Sequence, residues 1–154
     1  MDLSLTEQQQ ILKQTARDFL TEHCPKSLVR EMEEDDLGYR PELLKAVADL
    51  GWFSLTIPEE YGGVGGNFLD LSVLLEEIGR ALFPSPFLEA VTSGLIILNG
   101  GTREQKQKLL PQIAAGTIIV IPAFSMQNTE YDSHPPLKGK RTESDYLLSG
   151  SKLF

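Results

Sequence analysis

A chain of 154 residues with a formal net charge of -8 has room for one domain and part of a second. Its 41% hydrophobic and 23% charged residues are those of an ordinary globular protein, and an acidic balance with no basic block argues against nucleic acid or an anionic membrane as partner. The single cysteine, Cys24, excludes an internal disulfide and offers no metal-ligand spacing. No apolar run approaches the roughly 18 residues of a membrane span, and residues 1–4 resemble neither a secretory signal nor a transit peptide, so the chain reads as cytoplasmic.

In chain order, Thr6 ahead of Glu7 predicts a first helix, with Ser4 or Thr6 as its cap. Ile11, Leu12, Ala16, Phe19 and Leu20 form its inward stripe, and Pro25 ends it. Residues 27–32 add a short helical turn. The acidic run Glu33-Glu34-Asp35-Asp36 reads as a solvated loop, because no partner stands at metal-ligand spacing. Pro41 fits a helix start, Leu43, Leu44, Val47, Ala48 and Leu50 give that helix a buried side, and Gly51 caps it. Trp52 and Phe53 lead toward the core, Ser54-Leu55-Thr56-Ile57 reads as a strand, and Pro58-Glu59-Glu60-Tyr61 as a turn.

The glycines between 62 and 66 match neither a dinucleotide fingerprint nor a P-loop. Positive φ angles and close backbone approach explain them better. Residues 68–82 form a helix apolar on most sides, hence buried, in which Glu76, Glu77 and Arg80 pair with one another or face a partner subunit. Pro84 and Pro86 separate it from a second apolar helix over 87–99, which Gly100 and Gly101 terminate. Thr102 and Gln105 spell a capping box, followed by a helix with Leu109, Leu110, Ile113 and Ala114 inward. Residues 117–124 are β-branched and strand-like, 127–142 a polar loop or irregular edge, and 146–149 a second short strand. Two strands are marginal alone, since a stable sheet generally needs three or more.

Hydrolytic chemistry finds no support. His23 and His134 stand outside any nucleophile motif, and sequence neighbours such as His23 and Cys24 point apart on a helix. Spacing alone nominates no acid or base.

The order and wording of residues 51–80, GWFSLTIPEEYGGVGGNFLDLSVLLEEIGR, closely resemble the amino-terminal helical domain of flavin-dependent acyl-CoA dehydrogenases. Thr102-Arg103-Glu104-Gln105-Lys106-Gln107, Leu110-Pro111, Ala115-Gly116 and Gly150-Ser151-Lys152-Leu153-Phe154 extend the likeness. It implies a mainly α fold: an up-and-down helical domain over residues 1–116, then the first strands of an incomplete flavin-binding β-barrel domain over 117–154. It also implies FAD as cofactor, an acyl-CoA thioester as substrate, and homo- or hetero-oligomers. The family's proton-abstracting carboxylate belongs to a carboxy-terminal domain, so no catalytic residue is assigned and a truncated chain is expected to be inactive alone.

Carried onto this sequence, the flavin edge falls at Phe124 and Ser125, with Asp132 the one match in the segment that follows. Glu130 and Tyr131 replace the family's Gly-Ser pair, and a carboxylate there repels a pyrophosphate. Leu88, Val91, Thr92 and Leu95 are implied as acyl-chain lining, with ordinary core packing the alternative for each. Two other readings stand beside this one: a non-catalytic partner subunit of a heteromeric dehydrogenase, and a helical binding module.

Overall fold

The computed structural model describes residues 4–123, 137–143 and 145–150. Helix α1 (Glu7–His23) opens on a reciprocal cap: the Thr6 hydroxyl accepts from the Gln9 N–H at 3.2 Å, and the Gln9 amide oxygen accepts from the Thr6 N–H at 3.1 Å. Ala16 and Leu20 are wholly buried, as the stripe predicted, but Ile11 is 61% exposed. At about 100° per residue Ile11 lies opposite Leu20, so it cannot share that face. Pro25 stops the helix and caps α2 (Lys26–Met32), which buries Leu28 and Met32 one turn apart. The acidic loop that follows is exposed, and Asp35 uses its carboxylate to accept from the N–H groups of Leu37 and Gly38.

Helix α3 (Pro41–Asp49) carries Pro41 in its first turn and buries Leu44 and Val47. Gly51, at φ 78°, turns the chain so that the Trp52 N–H reaches back to the Val47 carbonyl at 3.1 Å. The strand expected at 54–57 is absent. Tight turns occupy this stretch, with the Ser54 and Ile57 N–H groups bonded three residues back. The carbonyls of Ser54, Leu55 and Ile57 accept instead from Val64, Gly66 and Gly65, which fold back over them. Burial of Trp52, Phe53 and Ile57 within six residues requires that coiling, because a strand would alternate them across two faces. The glycine loop serves it: a β-carbon on Gly63 would lie 1.8 Å from the Ile57 carbonyl oxygen. A short 3-10 turn, Glu59–Tyr61, joins the two.

Asn67 caps α4 (Phe68–Ala81), completing a second reciprocal cap with Asp70. This helix buries Leu71, Val73, Leu74 and Glu77, yet Phe68 and Leu69 at its start are exposed, so burial on most sides holds only beyond its first turn. Helix α5 (Phe87–Gly100) follows the Pro84–Pro86 corner, and α6 (Arg103–Ala114) opens on the expected box between Thr102 and Gln105. Helices α1 and α4 run side by side in parallel, since Gln9, Lys13 and Arg17 meet Asp70, Glu76 and Glu77 in the same order.

The main core gathers α1 to α5 around Trp52 and Phe53, whose rings lie against Phe19 and Phe87. Ile57, Leu110, Ile113 and Ala114 form a second cluster, with Ile118 and Val120 packed against it. Residues 118–121 therefore make no strand pairing among the described residues: Ile118 and Val120 cover the second cluster and Ile119 the main core, while Ile121 is exposed. Phe124, the end of that predicted strand, lies outside the described residues.

The chain divides after Ile121 into two compact units. In the second, β2 (Tyr146–Ser149) is the strand expected there. Its antiparallel partner β1 (Lys138–Arg141) falls within the stretch expected to be a loop, with Lys138 opposite Ser149 and Arg141 opposite Tyr146. Lys-Gly-Lys-Arg has little intrinsic strand preference, and pairing with β2 decides its conformation. Among the described residues this is a mainly α fold with two strands, and none of its helices is long and apolar enough to cross a membrane.

Candidate functional site

Helix α5 divides the four residues assigned to acyl-chain lining. Val91 is 4% exposed and sits in the main core with Phe87 and Ala90. Leu95 is partly buried against the same core. Leu88 is 53% exposed and Thr92 intermediate, so these two stand on the outer side with Ile96, which is 46% exposed. The helical period explains the split: 88, 92 and 96 recur every fourth position and form one ridge, and 87, 91 and 94 form the inward one. Sequence reasoning missed Ile96, whose spacing from Leu88 and Thr92 was the available signal.

The same helix buries a polar group with no partner. The Ser93 side chain is 3% exposed, and its hydroxyl, like that of Ser85 in the preceding corner, has no hydrogen-bond partner among the described residues. Glycine at 94 brings α6 close, with Ile113 at 3.7 Å from where a β-carbon would stand. The outer ridge of α5 is thus apolar with one hydroxyl, set on a rigid helix. Such a surface can line an apolar ligand, but it carries no group that moves a proton.

Two described groups capable of acid–base or nucleophilic work, Glu77 and Cys24, are committed to the fold. Glu77 is fully buried, and Arg17 grips it with two hydrogen bonds, one from Nε at 3.0 Å and one from Nη2 at 2.6 Å, while Arg80 Nε adds a third at 2.7 Å. The Arg17 bonds above all, against an opposing effect of burial, hold its carboxyl down at about 2. A carboxylate so stabilised is a poor base. The pairing of Glu77 with Arg80 was expected from their spacing; Arg17, sixty positions upstream, was not. Cys24 is buried, and desolvation pushes its thiol up, away from the reactive thiolate. His23 packs against Phe19 with ring centroids 4.6 Å apart and planes tilted by 50°. No cluster of three metal-ligating side chains occurs among the described residues.

Phe124, Ser125 and Asp132, assigned to the flavin, and His134 lie outside the described residues.

A separate open cleft of about 450 Å³ lies among α1, α2 and α3. Phe19, Leu28, Leu43 and Ala46 give it apolar walls, and His23, Arg40 and Glu42 stand along it.

Comparison with known proteins fits this picture. The family described as Acyl-CoA dehydrogenase, N-terminal domain, matches residues 6–117. Acyl-CoA dehydrogenase IpdE2 of Mycolicibacterium smegmatis is 34% identical over 121 residues, covering 78% of this chain and 39% of its own length. The solved ChsE4-ChsE5 complex from Mycobacterium tuberculosis superposes with a TM-score of 0.88 at 25% identity, over 99% of this chain and 41% of that one. An acyl-CoA dehydrogenase from Bacillus anthracis, solved in complex with FAD, shares the fold with a TM-score of 0.80 at 24% identity, over 97% of this chain and 26% of that one. The chain belongs to the acyl-CoA dehydrogenase family and carries its amino-terminal helical domain. It spans about two fifths of the length of IpdE2.

Proposed function

We propose that this polypeptide is the helical wall of an FAD-dependent acyl-CoA dehydrogenase, in which α5 lies beside the acyl chain of a CoA thioester. In this reading residues 1–116 are the helical domain and residues 117–154 open the β-barrel domain. Leu88 and Thr92 meet the substrate, and Val91 and Leu95 support them from behind. The observation that carries the proposal is the exposed ridge of Leu88, Thr92 and Ile96 on a helix whose other side is anchored in the core. The α-proton and β-hydride are removed by groups that these residues do not include. The chain supplies shape, an apolar surface and exclusion of water around the acyl group.

The test is a chimera in which residues 4–121 replace the corresponding domain of a full-length relative. An active chimera whose preference among acyl chain lengths shifts on Leu88→Trp, with the turnover number for its shortest substrate retained, supports the assignment. An active chimera indifferent to bulk at 88 and 92 removes it.

A second reading, a partner subunit of a heteromeric dehydrogenase, is favoured by the likeness to a solved two-protein complex. Co-expression with a full-length relative separates the two: a stable mixed complex supports the partner role, and a chain that purifies alone counts against it.

A further inference from the structure

We propose that the acyl group lying along α5 carries an uncharged oxygen part-way down its length, a hydroxyl or keto group that hydrogen-bonds the Thr92 hydroxyl. This names a substrate class for the site proposed above and rests on α5 lining the acyl chain.

Thr92 is the one polar residue of the outer ridge, set between Leu88 and Ile96. A serine or threonine inside a helix often turns its hydroxyl back to the carbonyl four residues earlier. Ser72 does so on α4, bonding the Phe68 carbonyl at 2.9 Å, and on α5 the Asn99 amide takes the Leu95 carbonyl at 2.8 Å. The Thr92 hydroxyl makes no such bond and has no other partner among the described residues. Its neighbour Ser93, turned inward, is equally unbonded, so α5 ties neither hydroxyl to its own backbone.

Thr92 is only partly buried, so water serves its hydroxyl while the ridge faces solvent. An acyl group laid over the ridge displaces that water. Saturated carbon would then leave the hydroxyl without a partner, whereas an oxygen on the acyl group restores the bond. For hydrocarbon alone valine is the better residue, having the same branched shape and no hydroxyl.

Geometry and charge narrow the class. Leu88 and Ile96 each stand about 6 Å from Thr92 along the helix axis, so apolar carbon flanks the oxygen on both sides. The oxygen is therefore not terminal. Nor is it charged: α5 carries no Lys, Arg or His to pair a carboxylate, and Glu89 would repel one.

The test joins the full 154-residue chain to the remaining part of a full-length relative. Octanoyl-CoA is compared with counterparts bearing one hydroxyl or keto oxygen at successive carbons beyond the α and β positions. Both kcat/KM and, independently of turnover, calorimetric binding are measured. At least one oxygenated thioester is expected to exceed octanoyl-CoA. Thr92→Val should lower the ratio of kcat/KM for that thioester over octanoyl-CoA about tenfold, chiefly through KM, and Thr92→Ser should preserve the ratio. In the 154-residue chain by itself, Thr92→Val should not lower the melting temperature. Octanoyl-CoA preferred throughout, or a ratio unmoved by Thr92→Val, overturns the inference. So does a chain destabilised by Thr92→Val, because the hydroxyl then serves the fold. A chimera whose chain-length preference shifts on Leu88→Trp while the ratio ignores Thr92→Val sinks this inference alone; indifference to both removes the function proposed above as well.

Discussion

Protonating Glu77 would leave two half-exposed guanidiniums facing a neutral carboxyl in the α1–α4 seam. Its carboxyl stands at about 2 in the folded chain against an ordinary value of 4.5. A depressed pKa stabilises the fold fully above the ordinary value, and that stability is lost as pH falls from there toward 2. Glu77→Gln should therefore be less stable near neutrality, by about 1–3 kcal/mol, and should show a shallower loss through the acid range than the parent. Thermal unfolding followed across pH checks both; parallel pH profiles for the two proteins would count against the assignment. Ser93 gives the opposite sign. With its hydroxyl buried and unpartnered, Ser93→Ala is expected to leave stability unchanged or raise it by about 1 kcal/mol in denaturant unfolding. At Gly63 any β-carbon meets the Ile57 carbonyl, so Gly63→Ala should cost at least about 2 kcal/mol.

Among the elements, α5 offers the sharpest contrast. Val91→Gln buries an amide in the core and should cost several kcal/mol, whereas Leu88→Gln at the exposed ridge should fall within about 0.5 kcal/mol of the parent. Equal costs would mean that the ridge is not an outer face. The sequence disclosed this helix and its bounds, but only half of its candidate site. Periodicity tells that two faces exist, and Leu88, Val91, Thr92 and Leu95 straddle both. Helix starts were legible where the signal is local: Thr6 with Gln9 and Thr102 with Gln105 close their boxes within three residues. Residues 54–57 and 118–121 misled because β-branched and aliphatic runs fit a strand or a helix-covering segment equally well, and packing decides. The Arg17–Glu77 clasp was invisible for a different reason. It joins residues sixty positions apart, and no local pattern reports such a meeting.

For the molecule as a whole, the two units differ in what holds them. The helical unit has a core assembled from five helices and an aromatic chain from Phe19 through Trp52 to Phe87. The hairpin of β1 and β2 exposes every residue of both strands. A two-stranded hairpin of that kind is marginal in water. Its amides should exchange with solvent far faster than those of Leu20 or Leu74, an ordering that hydrogen-exchange mass spectrometry reads directly. The family's flavin chemistry needs a carboxylate base and a held cofactor, and in the function proposed above the described part of this chain contributes only an apolar helix ridge and structural ion pairs. The most direct test of that division of labour is turnover by the purified 154-residue chain, given FAD, an acyl-CoA and an electron acceptor. The account predicts that no flavin is retained after gel filtration and that no acceptor is reduced. A yellow, flavin-bearing protein that oxidises the thioester by itself would contradict it.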